Sequence, residues 1–590
     1  MHPNSSLRLF DLAKRQLEIY PDLPMFVSKT NGEWQGITTK VFLDHVNEIS
    51  KGLIACGVKA GDKVALISEN RVEWNMIDFA VQQIGGVMVA IYPNISDNDY
   101  QYIFNDASIK LCFVSNIDLY TRLDALRDKL PTLEYLFSIN KYDNAQNWQF
   151  LIDRGQSISQ TEIDECSAKV TNEDLAMLIY TSGTTGNPKG VMLTHKNVIS
   201  DVVACEYSTP LEPYHRALTF LPACHAYERT LQYLYIYMGL SIYFAESTDK
   251  IGENLKEIKP HIMTAVPRVI EKVYEKIMEK GSHLSGFKNK LFHWAVRIGE
   301  QYDLDENKLS FIYKLKLAVA RKLILQRWYE GLGGELIAIV TGSAGIQEKI
   351  VRTFLAAEIP IYEGYGLTEA SPVVAVNCFK RGKKIGTVGP PLNGVEVKLA
   401  EDGEILVHGD IVMKGYYNNP EATAEVLKNG WLYTGDIGEW IDGKYLKIID
   451  RKKEMFKTSG GKYVVPQQIE NKMMESPFIS QFIVVGEGEK FPGALVVPNY
   501  QSLLKWSKDN NKGIDNLSFE EFQKNNSVKE KIEDEINRIN INFGHWEQIK
   551  KIAIIPTELS IESGELTPTL KYKRKVILEK YKKQYQEIYG

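Results

Sequence analysis

From Tyr180 to Gly190 the chain reads Tyr-Thr-Ser-Gly-Thr-Thr-Gly-Asn-Pro-Lys-Gly, directly after the apolar run Leu175–Tyr180. Glycines let backbone N–H groups come close to an anion, and hydroxyls add donors. A lysine supplies compact positive charge suited to phosphate. Thr181, Ser182, Gly183, Thr184, Thr185, Gly186 and Lys189 are therefore candidate phosphate ligands. The arrangement is not the Walker loop, because Asn187-Pro188 separates Gly186 from Lys189 and a glycine, not Ser or Thr, follows the lysine.

Further stretches join chemistry to a turn. Tyr362-Glu-Gly-Tyr-Gly-Leu-Thr-Glu369 places an aromatic, a hydroxyl and a carboxylate on a glycine-loosened segment. Mg²⁺ takes one or two carboxylates together with phosphate oxygens, which makes Glu369 a candidate metal ligand; a strand-to-turn junction with a solvated Glu is the other reading. Thr341-Gly-Ser-Ala-Gly345 follows the apolar run Leu336–Val340, and small residues at the carboxyl end of a parallel strand leave room for a ligand. A plain strand-to-helix loop has the same composition. Asp436, in Thr-Gly-Asp, can accept both vicinal hydroxyls of a ribose or close an Asx-turn. The Lys-rich stretches Asp450–Lys462 and Lys571–Lys583 are cationic sites or solvated surface. In Leu221-Pro-Ala-Cys-His225 a Cys224–His225 dyad is disfavoured, because successive side chains of an extended chain point apart. No HExxH, GxSxG or GxGxxG pattern competes for the site.

These stretches need a scaffold. Lys63–Ser68, Val87–Tyr92 and Leu111–Ser115 read as strands, separated by helical patterns over Val72–Ile84 and Asp97–Ala107. The rhythm returns in LTFLP, SIYFA, HIMTAV and LIAIVTG. Near-continuous apolar strands alternating with helices predict buried parallel sheets, and their number implies more than one. From about residue 395 the pattern changes to short strands, Val395–Leu399, Glu404–His408 and Tyr445–Ile449, with EDGE and IDGK turns that read as antiparallel hairpins. The expected fold class is α/β: a large N-terminal domain, 1–449, of stacked sheets with a small β-barrel-like subdomain at about 390–449, and a small α+β domain over 450–590.

Two segments look inserted. Residues 268–330 are helical in pattern, with 13 basic and 8 acidic residues. Within them Leu309–Tyr329 carries apolar residues at helical spacing with Lys314, Arg321 and Arg327 between. That describes a helix docked on its own core, or one that meets a membrane surface or partner. Gln501–Asn542 reads as a surface helix pair without chemistry. Across all 590 residues, 70 Lys and Arg oppose 75 Asp and Glu, net −5, so no basic field points to nucleic acid. The six cysteines are scattered without a CxxC pair, against a disulfide framework or thiolate zinc site. The N-terminal residues have no apolar core of signal-peptide length, and the most apolar stretch, Leu231–Ala245, is too short to span a bilayer. A cytoplasmic protein is expected, with membrane-peripheral contact through 268–330 as the variant.

Together the motifs resemble the adenylate-forming superfamily of acyl-CoA synthetases, firefly-type luciferases and peptide-synthetase adenylation domains. VPRVIEKVYEKI (266–277) with the helical insertion after it, LPACHAYER (221–229) and LTPTLKYKR (566–574) are most similar to long-chain fatty acyl-CoA synthetases. The resemblance implies ATP, Mg²⁺ and CoA, with fatty acid as the acyl substrate. Thr181–Lys189 would be the phosphate loop. Gly342, Ser343 and Ala344 would face adenine, Tyr365 would stack on it, Gly366 would line the nucleotide site, and Thr368 would contact the α-phosphate. Glu369 would hold Mg²⁺, and Asp436 and Arg451 the ribose. Asp450 would be the hinge of a mobile C-terminal domain. Lys457 would approach the adenylate in one orientation, and Ser459, Gly460 and Gly461 would line the pantetheine tunnel. Lys571 would be the catalytic lysine, with Lys573 competing, although Thr569-Leu570 stand where many members have Ser-Gly. His225 would sit near the substrate carboxylate. A ligase that hands its acyl group to a carrier protein would share these motifs, as would a luciferase-like monooxygenase.

Overall fold

The computed structural model describes residues 6–181, 187–510, 514, 521, 525–555, 557–560, 563–567 and 572–590. Two large sheets carry the N-terminal part. One has seven strands in the order Gly415–Tyr416, Lys189–Thr194, Leu175–Thr181, Val87–Ala90, Lys63–Ile67, Ile109–Val114 and Tyr135–Ser138. Its central strands are parallel, and the edge made by Lys189–Thr194 and Gly415–Tyr416 is antiparallel. The other has eight, in the order Val373–Val376, Ile361–Gly366, Ala338–Thr341, Ile262–Ala265, Arg216–Thr219, Ser241–Phe244, Pro24–Thr30 and Glu33–Thr38, antiparallel only at its two outer pairs. The expected α/β class and the plurality of sheets are both present.

Local chemistry explains the elements. The helix Asp97–Ala107 starts where Ser96 accepts a hydrogen bond from the Asp99 amide and ends where Ser108 turns left-handed. The helices Val72–Gln83 and Ala226–Met238 are buried on almost every side, and their residues share one core cluster with strands of both large sheets. Several polar side chains inside that layer are paired across it. Arg229 donates to Asn75 at 2.8 Å, its guanidinium lies 3.4 Å from Asp78, and Gln82 donates to the Tyr233 hydroxyl at 2.8 Å. Buried charge is tolerable only with such partners.

The strands Glu396–Leu399, Glu404–His408, Leu427–Lys428, Trp431–Ile441 and Tyr445–Arg451 form the antiparallel sheet expected there. Beyond it, Ile479–Val485, Gly493–Pro498 and Ile552–Ile554 form a three-stranded sheet with its own apolar clusters. Among the described residues, no helix is long and apolar enough to cross a membrane.

Candidate active site

The strand Leu175–Thr181 and the strand Lys189–Thr194 pair antiparallel, with Thr181 opposite Lys189. The phosphate-type loop therefore joins two hairpin strands and no helix N-terminus follows it. Ser182, Gly183, Thr184, Thr185 and Gly186 lie outside the described residues. Thr181 and Lys189 hold the loop's two ends. The Lys189 ammonium lies 5.0 Å from the centre of the Tyr416 ring.

Tyr416 ties this end to the next motif. Its strand pairs with Lys189–Thr194, and the Tyr417 amide donates to the Gly190 carbonyl at 2.8 Å. The Tyr416 hydroxyl donates to Glu369 Oε1 at 2.8 Å, and the Met413 amide donates to the Glu369 carbonyl at 2.9 Å. Burial and then the Glu369 carboxylate push the Tyr416 phenol well above its ordinary value, so it remains a donor. Among the described residues, no hydrogen bond reaches Glu369 Oε2. That leaves one carboxylate oxygen, beside a buried Thr368, free for a cation. No group of three or more His, Cys, Asp or Glu able to hold a metal occurs among the described residues. A lone carboxylate suits Mg²⁺ that takes its other ligands from phosphate and water.

Tyr365 and Asp436 are in direct contact. The Tyr365 hydroxyl donates to Asp436 Oδ2 at 2.6 Å, and Arg451 Nε lies 3.3 Å from Asp436 Oδ1. Burial and the adjacent carboxylate push the Tyr365 phenol well up. Burial works against the Arg451 charge, and Asp436, Glu454 and Glu369 more than offset it. Arg451 is also the last residue of the strand Tyr445–Arg451, facing Asp436 in register. Asp450 precedes it, fully buried, accepting from the Arg451 amide at 2.6 Å and from Gln467 at 3.1 Å in the first turn of the helix Pro466–Met473. Burial pushes its carboxyl up to about 6.

Residues of the Thr341–Gly345 and Tyr362–Glu369 stretches line a pocket of about 870 Å³ including its open mouth, and Glu369, Asp436 and Arg451 lie outside its lining. Gly342, Ser343, Tyr365, Gly366 and Thr368 form one side, and His225 joins them. Ser343 has φ +72°, a left-handed value uncommon for a residue with a side chain, at the end of the strand Ala338–Thr341. A Cβ on Gly366 would stand 1.9 Å from the Pro372 carbonyl oxygen, so only glycine fits there. The apolar Leu231, Leu234, Ile262, Ala338 and Val340 also line it. His225 starts the helix Ala226–Met238, its Nδ1 accepting from the Tyr227 amide at 3.2 Å. Its neighbour Cys224 is buried with its thiol pushed up to about 12, which suits packing and not nucleophilic attack.

Other sequence candidates lie elsewhere. Ala344 is exposed and outside the pocket wall. Lys457 sits on the short hairpin Phe456–Lys457/Tyr463–Val464, its ammonium 4.6 Å from the Tyr463 ring centre. Ser459, Gly460 and Gly461 form that hairpin's turn, with the Ser459 amide donating to Glu489 O at 2.8 Å. Lys571 lies outside the described residues. Arg574, three residues on, donates to Glu470 at 2.8 Å and approaches Glu454 at 3.7 Å.

Two contributors escaped sequence reasoning. Tyr416 lies in Gly415-Tyr-Tyr-Asn-Asn, which has no chemical pattern of its own. Asp201, buried in the helix His195–Ser208, accepts from the Val373 amide at 3.0 Å and so fixes a strand of the pocket wall. An acid among the Val, Ile, Ala and Cys residues of this helix was the one available signal.

Comparison with known proteins completes the picture. Residues 13–417 match the model of the AMP-binding enzyme family, and residues 454–590 match that of the AMP-binding enzyme C-terminal domain. Long-chain-fatty-acid–CoA ligase FadD15 of Mycobacterium bovis is 32% identical over 575 residues, covering 97% of this chain and 95% of that protein. Long-chain-fatty-acid–CoA ligase 1 of Cavia porcellus is 31% identical over a 624-position alignment, covering 99% of this chain and 86% of that one. The crystal structure of the adenylation domain of a carboxylate reductase from Mycobacterium chelonae shares the fold at TM-score 0.76, with 20% identity over 99% of this chain and 91% of that chain. By its motifs, its architecture and these full-length likenesses, the chain belongs to the AMP-binding enzymes of the adenylate-forming superfamily, alongside the long-chain-fatty-acid–CoA ligases.

Proposed function

We propose that the chain activates a long-chain fatty acid with ATP and transfers the acyl group to CoA. In the first half-reaction a carboxylate oxygen attacks the α-phosphorus, the bond to pyrophosphate breaks, and acyl-AMP forms. In the second, the CoA thiolate attacks the acyl carbon and AMP leaves. The observation that carries this reading is a pocket in which Gly342, Ser343, Tyr365, Gly366 and Thr368 of the nucleotide-type motifs share the lining with apolar side chains. Such a pocket suits an acyl chain whose carboxylate must meet a nucleotide phosphate, because binding energy along the chain then positions the reacting oxygen.

The residue roles follow the chemistry. Charge builds on phosphoryl oxygens as pyrophosphate departs, so stabilisation comes from donors and cations fixed in advance. Lys189, the 181–186 donors, Thr368 and Lys571 supply them. Glu369, oriented by Tyr416, would hold Mg²⁺, which supplies positive charge to the phosphate oxygens when bound. Asp436 and Arg451 take the ribose, with Gly342, Ser343 and Tyr365 at the adenine. His225 faces the substrate carboxylate. Lys571 has no role once AMP is the leaving group, so residues 450–590 turn about Asp450 between half-reactions. That movement brings the Ser459–Gly461 turn and Lys457 to the thiol's approach.

The test is a thioester-trapping assay of the purified chain with ATP, Mg²⁺, CoA and saturated acids from acetate to stearate. AMP, pyrophosphate and long-chain acyl-CoA are the expected products. ADP as the nucleotide product would overturn the mechanism. A maximum at acetate would overturn the acyl class while leaving adenylation intact.

A further inference from the structure

The helical run from Phe311 to Gly331 has two apolar faces. It consists of the helix Phe311–Ala320, the wide π turn Arg321–Leu325 and the helix Gln326–Gly331. Leu317, Ala320, Leu325 and Trp328 are buried in an apolar cluster. On the opposite side Phe311 is 82% exposed, Ile312 65%, Leu315 61%, Val319 43% and Leu323 42%. Scattered exposed apolar residues need no explanation, but five on one helix face do.

The π turn keeps this stripe straight. On an α-helix a four-residue step overshoots a full turn by about 40°. The steps from Phe311 to Leu315 and Val319 therefore drift around the axis. The wide turn advances less per residue, so Leu323 stays in line with Val319. The same turn creates the five-residue step from Ala320 to Leu325 on the buried side. The helix is thus built with two aligned apolar faces, only one of which the chain covers.

Charge identifies what suits the other. The run Phe311–Gly331 carries five basic side chains and one acidic one, Glu330 in its last turn, and Arg321 is paired with Glu358 at 3.3 Å. Lys316, Lys322 and Arg327 are exposed beside the stripe. The neighbouring helix Gly286–Glu300 runs the opposite way: Tyr313 donates to Ile298 O at 2.8 Å near its end, and Phe292 packs 6.1 Å from Trp328. Its first turn adds exposed Phe287, Lys288 and Lys290. An apolar stripe edged with cations matches an anionic bilayer surface, where the stripe reaches the acyl boundary and lysines extend to the headgroups. A second copy of the chain fits less well, because a two-fold contact through the stripe would bring the exposed Lys316 and Lys322 of the two copies together.

We propose that the Phe311–Gly331 face docks this protein onto anionic lipid bilayers. The full-length chain is sedimented with vesicles of phosphatidylcholine containing about one third phosphatidylserine, an ordinary anionic surface, and with pure phosphatidylcholine. Binding to the anionic vesicles and weak binding to the neutral ones is expected. Lys316→Glu with Lys322→Glu should lower the partition coefficient by about 25-fold or more, at roughly five-fold for each cation lost near such a surface. Ile312→Ser with Leu315→Ser should lower it by about ten-fold or more through lost apolar insertion. All four positions are solvent-exposed and outside the catalytic pocket, so turnover of a short, water-soluble acid should stay at the wild-type rate. Failure of the wild-type chain to sediment with anionic vesicles would overturn the proposal, as would both variants binding like wild type. A concentration-dependent dimer that Ile312→Ser with Leu315→Ser dissolves, without vesicle binding, would assign the face to a second copy instead.

Discussion

Removing one oxygen atom tests how the metal-type carboxylate is held. Tyr416→Phe keeps the ring under Lys189 and the backbone pairing of its strand, and deletes only the hydroxyl that donates to Glu369 Oε1 at 2.8 Å. A hydrogen bond to a charged group contributes about 1.5–3 kcal/mol net, and the half-exposed Glu369 places this one near the lower figure. About 1.4 kcal/mol is a factor of ten. The expected result is roughly a ten-fold fall in the rate of pyrophosphate release, with a higher Mg²⁺ concentration needed for half-maximal rate. Nucleotide affinity measured without metal should hardly move. Initial rates with fatty acid and ATP across a Mg²⁺ titration give both numbers. Tyr417→Phe is the control, since that ring lies 5.1 Å from Lys63 Nζ and not against Glu369. A Tyr416→Phe enzyme within about two-fold of wild type at limiting and saturating Mg²⁺ would refute the reasoning, because a loss that small is less than any charge-assisted bond should give.

Three further outcomes are expected. Glu369→Gln keeps the shape and removes the charge, so adenylation should fall on the order of 10²-fold or more with the circular dichroism spectrum unchanged; near-normal turnover would place the cation elsewhere. Lys571→Ala should cripple acyl-AMP formation yet leave pre-formed acyl-AMP plus CoA reacting at close to the normal rate, since an interaction absent from a step cannot slow it; equal damage to both half-reactions would make Lys571 a binding or structural cation. Asp201 makes stability depend on pH, because burial raises its carboxyl from an ordinary 3.8 to about 8. The folded chain holds this proton between those values and the unfolded chain does not, so the group's contribution to stability falls as pH rises from 4 to 8. Asp201→Asn can still accept from the Val373 amide, and its melting temperature should drop less than that of wild type between pH 6 and pH 9; parallel drops would mean that other groups set the slope.

The parallel sheets were legible because their strands are buried on both faces and their spacing is local. Asp97–Ala107 was legible to the residue, since Ser96 and Ser108 stop it chemically at each end. The antiparallel edge was not. Gly415–Tyr416 meets Lys189–Thr194 across more than two hundred residues, and a two-residue strand has no period to read. The contacts of Tyr365 with Asp436 and of Tyr416 with Glu369 depend on that kind of long-range closure, so each motif could be recognised while its partner could not. For the Phe311–Gly331 run the sequence showed apolar residues at helical spacing with cations between them, and only the packing showed which of them the chain buries and which it leaves exposed.

The Asp436 carboxylate has a further consequence. One oxygen receives the Tyr365 hydroxyl and the other faces Arg451, which is joined to the proposed hinge residue by a single peptide bond. If ribose hydroxyls use those oxygens, they compete with the pair that fastens the end of the Tyr445–Arg451 strand. Occupancy of the nucleotide site and orientation of the C-terminal part then become reciprocal variables: whatever factor nucleotide binding applies to the orientation equilibrium, the orientation applies to nucleotide affinity. On the proposed two-orientation account the enzyme would need no separate signal to turn, because formation and release of the nucleotide product would set the position of the C-terminal part.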